Sequence, residues 1–144
     1  LTLKHRPLYV ARMRAAALAL VGTHDFSAFR ATRCQAKSPL KTIHHLQVIE
    51  HGRFIVLDVR ANAFLHHMVR NIAGVLMSIG AGERPVEWAA EVLAAGARRS
   101  GGVTAHPYGL YLVQVEYPEE FELPERYLGP HCLSALADVR LTAT

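Results

Sequence analysis

The sequence predicts an α+β domain, a mostly antiparallel sheet with helices packed on one face. Three observations predict it. A tight-turn "HG" separates two β-favouring runs, "TIHHLQVIE" and "RFIVLDVRAN". One helical pattern precedes this hairpin and two follow it, so helices and strands cluster instead of alternating. The 144 residues are 51% hydrophobic and 19% charged, which suits one buried core.

Pro7 opens the first helix, expected from about Tyr9 to Leu20 and stopped by Gly22. Met13, Ala16, Ala17 and Leu20 share its inward side, and Arg12 and Arg14 face out. "THDFSAFRATRCQAKS" reads as one short helical turn and a polar loop, capped by Thr23 or Asp25 and pinned by Phe26 and Phe29. In the hairpin's second run, Ile55, Leu57, Val59 and Ala61 point one way, and Phe54, Val56, Asp58 and Arg60 point the other. One sheet face is therefore core and the other mixed.

"AFLHHMVRNIAGVLMSIGAG" predicts a long helix from about Phe64 to Ile79, because Leu65, Met68, Val69, Ile72, Leu76 and Ile79 recur at helical steps. "VEWAAEVLAAG" predicts another after Pro85, with Trp88, Val92 and Leu93 inward and Gly96 as its end. "ARRSGGVTAHPYG" is a loop with the marks of mobility or ligand accommodation. "LYLVQVEY" predicts a third strand, closed by Pro118. Residues 1–128 are expected to form one domain and 129–144 a poorly ordered tail. Three strands are few for this much helix, so the sheet is expected to continue into another domain or chain. The opening "LTLKHRPLY" lacks a methionine and reads as a cut inside a longer protein, or as the scar of a removed tag.

Several chemistries are disfavoured. Cys34 and Cys132 stand far apart in no C-x-x-C pattern, which argues against a disulfide framework or zinc ribbon and for a reducing cytosol. No apolar stretch is long enough for a membrane span, and no secretory signal opens the chain. Nine histidines invite a metal hypothesis. Yet His44 and His45 fall on opposite faces of a strand, and His66 and His67 diverge by about 100° on a helix, so no metal site is expected. No G-x-S-x-G elbow, phosphate-binding glycine loop or carboxylate pair is present. The acidic residues Glu116, Glu119, Glu120, Glu122 and Glu125 read as a solvated rim. This chain by itself offers no convincing nucleophile.

What remains is a polar stripe on an apolar helix. His66, Arg70 and Gly74 stand four apart on one side, and His67 and Asn71 lie beside them. Gly74 has no side chain to block an incoming group. A guanidinium keeps its charge, so Arg70 either snorkels to water or waits at a cleft for a carboxylate or phosphate from outside the chain. Arg30, Arg33, Lys37 and Lys41 sit in a loop without an acid. That loop is either a solvated charged segment or a phosphate-contact surface, and the net charge of +4 is compatible with both.

"HDFSAFRATRCQAKSPLKTI", "ANAFLHHMVRNIAG" and "GLYLVQVEY" together resemble the C-terminal half of the tRNA pseudouridine synthase A family, in order and spacing, from about Pro7 to Pro124. The resemblance implies half of a two-lobed fold, whose sheets join and whose active cleft lies between the lobes. It implies isomerisation of uridine to pseudouridine in the tRNA anticodon arm, catalysed by an aspartate, with no metal or organic cofactor. It also implies a cytoplasmic homodimer with tRNA as partner. Arg70 falls on the motif arginine that pairs with the aspartate. Leu110 and Leu112 fall on the motif lining the pocket under the target base, and Phe64 and Gly74 join them as candidate pocket residues. Arg30, Arg33, Lys37, Lys41, His66 and His67 are the candidate RNA contacts. The resemblance implies that the catalytic aspartate lies in an Arg-Thr-Asp-type motif upstream, in an N-terminal domain expected to be missing here, and the chain alone is expected to be inactive. The rival expectations are a non-catalytic RNA-binding module and a dimerisation module.

Overall fold

The computed structural model describes residues 7–121. The chain divides into two units, Leu1–Tyr108 and Gly109–Thr144. The expected domain boundary and tail at 128 and 129 lie outside the described residues.

In the first unit, helix α1 (Val10–Leu18) buries Val10, Met13, Ala16 and Ala17, with Leu20 sealed just beyond its end. Its two arginines work as connectors. Arg12 donates through Nε to Ile79 O at 3.0 Å and through Nη2 to Arg84 O at 2.9 Å, and Arg14 donates through Nε to Val48 O at 2.7 Å.

A short strand, β1 (Gly22–Asp25), follows and pairs antiparallel with β2 (Leu40–His51), from Gly22 opposite Ile43 to Asp25 opposite Leu40. The sequence pattern missed this strand. Four residues with a glycine and an aspartate carry almost no β signal, and the ladder with β2 makes them a strand. The expected helical turn is a 3₁₀ turn, Ser27–Phe29, where Asp25 Oδ1 accepts the Ser27 N–H at 2.8 Å. Phe26 and Phe29 are fully buried beside each other.

β2 pairs with β3 (Phe54–Ala61) as the expected hairpin. The ladder slips between Ile43 and His45, a bulge that leaves Ile43 and Leu46 both buried although they are three apart. Ile55, Leu57, Val59 and Ala61 pack against the core, as the alternation requires. On the outer face, His45 bonds Asp58 at 3.2 Å. Among the described residues the sheet has three strands in the order β1-β2-β3, and the helices cover one face.

Helix α2 (Met68–Gly80) is the centre of the core, with Met68, Ile72, Val75, Leu76 and Ile79 essentially sealed and Val69 half-buried. Helix α3 (Trp88–Ala95) buries Ala89 and Val92, rests Trp88 and Leu93 against the core, and ends at Gly96 with φ 62°, a left-handed cap that glycine adopts without a Cβ clash.

In the second unit the segment expected as a third strand forms none, and the described part ends in a 3₁₀ turn, Glu119–Phe121. Tyr111, Leu112, Val115 and Tyr117 stand more than half exposed. β-propensity records how well side chains fit a paired, half-buried surface, and among the described residues no ladder pairs with these.

Candidate functional site

The site begins where the expected long helix does not. Residues 63–65 are irregular and His66 and His67 form a turn: Met68 N–H closes back on Leu65 O at 2.9 Å, and α2 starts only at Met68. His67 holds a left-handed conformation, φ 63°, and its carbonyl accepts the Asn71 N–H at 2.9 Å as the first helical bond. Phe64, His66 and His67 therefore sit on a bend before the helix. The bend brings the two imidazoles together, ring centres 4.0 Å apart and 32° from parallel, where a regular helix would have splayed them. Among the described residues no group of three or more His, Cys, Asp or Glu can hold a metal ion.

The turn is fastened to the basic loop. His66 O accepts the Ala31 N–H at 2.9 Å, and His66 N–H points at Cys34 Sγ at 3.4 Å. Arg30 is committed to holding that loop, donating from Nη2 to Cys34 O at 2.6 Å and Ala36 O at 3.0 Å. Lys41 Nζ bonds Ser38 O and Leu40 O, while Arg33 and Lys37 are exposed. The four cations read as one surface thus divide into loop-builders and free charges.

Arg70 is half-buried and held by a two-way bridge. Its Nε donates to Ala105 O at 2.8 Å, and Ala105 N–H donates to Arg70 O at 3.1 Å. The same loop presses onto Gly74, where an added Cβ would lie 1.9 Å from Val103 O. The room beside Gly74, read in sequence as space for an incoming group, is taken by this chain's own Val103 carbonyl. Asn71 is fully buried and donates from Nδ2 to Phe29 O at 2.7 Å. Its Oδ1 accepts from Arg98 Nη2 at 3.0 Å and from Thr104 Oγ1 at 2.7 Å. The loop with the marks of mobility or ligand accommodation is bonded to α2 through Arg98, Thr104 and Ala105.

Among the described residues no carboxylate pairs with Arg70, whereas Asp58 meets His45 at 3.2 Å on the outer sheet face. Partial burial, then the charges of His66, Arg70 and Arg98, hold His67 below its ordinary pKa. Backbone N–H groups of Ala36 and His66, with Arg30 nearby, hold the Cys34 thiol below its usual range. Leu110 and Leu112 belong to the second unit and are exposed there. The sequence places Asn71 in the polar stripe without a role of its own and gives no site role to Thr104 or Arg98. The one available signal was Asn71 itself, a polar residue directly after Arg70 in an otherwise apolar helix.

Fold and site together define an α+β domain with a half-buried arginine, Arg70, bonded to backbone and paired with no carboxylate among the described residues. The chain belongs to the tRNA pseudouridine synthase family, whose model matches residues 16–118. It is 75% identical over 138 residues to tRNA pseudouridine synthase A of Pseudomonas aeruginosa, covering 96% of this chain and 48% of that protein. The Alcanivorax borkumensis protein of the same name is 61% identical over 90% of the chain and 48% of its own length. That of Nitrosococcus oceani is 62% identical over 83% and 46%. The chain spans about half the length of the curated relatives it matches.

Proposed function

We propose that this chain is the carboxyl-terminal half of a tRNA pseudouridine synthase, and that Arg70 pairs with a catalytic aspartate carried by the amino-terminal half. The supporting observation is the half-buried Arg70 guanidinium, held at Nε by Ala105 O while no carboxylate among the described residues meets it. A cation at that place keeps an aspartate ionised and oriented in a dry cleft. The aspartate then assists cleavage of the C1′–N1 glycosidic bond of uridine, rotation of the uracil and formation of the C1′–C5 bond, after which the C5 proton is lost to solvent and N1 takes up a proton. No metal or organic cofactor is needed.

The target uridine must leave its stack to reach such a cleft, with apolar side chains replacing its neighbours. Phe64, 40% exposed on its turn, suits that contact. On the family resemblance alone, Leu110 and Leu112 are assigned to the motif that lines the pocket under the target base. Arg33, Lys37, His66 and the flanking cations meet the tRNA phosphates, which fixes the anticodon arm by shape and charge. The family resemblance further supports a homodimer acting in the cytoplasm. No helix among the described residues is long and apolar enough to cross a membrane.

The test is tritium release from uridine-labelled tRNA by three samples: this chain, the whole protein, and the two halves mixed. The whole protein turns over, and the chain alone does not. Turnover by the chain alone would end the assignment of the aspartate to the other half. Salt-sensitive tRNA binding without turnover by the whole protein would leave a non-catalytic RNA-binding module in its place.

A further inference from the structure

Arg70 is oriented through a loop, and that loop is held by a ring of three side chains whose proton directions can be assigned. Arg98 can only donate, so the Asn71 atom facing its Nη2 at 3.0 Å is the oxygen, and the Thr104 hydroxyl 2.6 Å away accepts. The Thr104 proton is then free for Asn71 Oδ1 at 2.7 Å. Each member bonds the other two. Asn71 also ties the ring to the 3₁₀ turn through Phe29 O, and Arg98 Nη1 ties it to Gly102 O at 3.0 Å.

The residue after the ring threonine is Ala105, whose carbonyl takes the Arg70 Nε–H. Asn71 is the residue after Arg70 on α2. The ring therefore joins the two backbone stretches between which Arg70 is held, one residue from each end of the bridge. No buried side-chain donor or acceptor is left without a partner among the described residues, those of the clamp included.

We propose that Asn71, Thr104 and Arg98 form a positioning clamp for Arg70, fixing the 102–105 loop so that the guanidinium is aimed before its carboxylate arrives. The inference rests on the reading of Arg70 given above. Thr104 and Asn71 act through Arg70 and are positioning residues. Removing the Thr104 hydroxyl breaks two of the three ring bonds while leaving the shape of the side chain nearly unchanged.

The experiment compares Thr104→Val and Thr104→Ser in the whole protein by two readouts. Hydrogen–deuterium exchange across residues 102–106 reports the loop without requiring activity, and steady-state pseudouridine formation separates kcat from KM. In Thr104→Val, exchange in this segment speeds by about tenfold. Its kcat falls by about tenfold, while KM for tRNA stays within about twofold, because a misaimed group costs rate more than binding. Thr104→Ser keeps both at wild-type values. Unchanged exchange in Thr104→Val overturns the clamp; faster exchange with unchanged kcat overturns its role in aiming Arg70. If the wild-type whole protein makes no pseudouridine, the functional reading fails and the exchange result alone decides the clamp.

Discussion

His67 holds a conformation that a side chain adopts at a cost of about 1–2 kcal/mol, φ 63°. That bend starts α2 late and sets the two imidazoles side by side. Crowding by burial and by His66, Arg70 and Arg98 lowers the His67 pKa from its ordinary 6.5. A depressed histidine binds its proton less readily in the fold than in the unfolded chain. Its contribution to stability is therefore complete above about pH 6.5 and is lost as pH falls through the lower folded-state value. A ring-proton NMR titration should place the His67 midpoint below 6.5, and Arg70→Ala should raise it. A wild-type midpoint at or above 6.5 contradicts this account of the cluster. Gly74 gives a steric counterpart. Gly74→Ala drives a methyl into Val103 O, and urea denaturation should show a loss of about 1–3 kcal/mol. Unchanged stability would mean that the loop does not rest on α2 there. Arg70 was legible in the sequence because a charge stands out in an apolar stripe. Its support was not: Asn71, Arg98 and Thr104 are brought together across 27 and 33 residues of chain by packing that no local pattern encodes.

Elements with their own periodicity were read well, and those made by pairing were not. The first and third helices and the hairpin alternation follow from residue spacing and carry the expected inward residues. β1 exists because β2 offers an edge, and residues 110–117 form no strand despite a strand-like sequence. The long helix starts four residues later than its apolar pattern suggests, because Leu65 is buried by a turn that imitates helical spacing. Its other end depends on Arg12, which was read as facing out yet caps the final turn through Ile79 O. Replacing Arg12 with alanine should destabilise the fold by about 1–2 kcal/mol, through loss of its charge-assisted bonds at this half-exposed site. A melting curve matching the wild type would show that the backbone bond from Tyr9 N–H to Gly80 O joins the two helices unaided.

At the scale of the whole molecule, a chain spanning about half of a relative's length holds Arg70 on backbone, with no carboxylate among the described residues paired to it. The proposal that the two halves meet at Arg70 is open to one direct measurement: single-turnover pseudouridine formation by the whole protein at saturating tRNA, wild type against Arg70→Ala. The account predicts a rate lower by about a hundredfold or more, with tRNA affinity within a few-fold, because the lost cation stabilised charge in the reacting state. A rate within about threefold of wild type, from a variant that folds and binds tRNA normally, would contradict the pairing on which the functional reading stands.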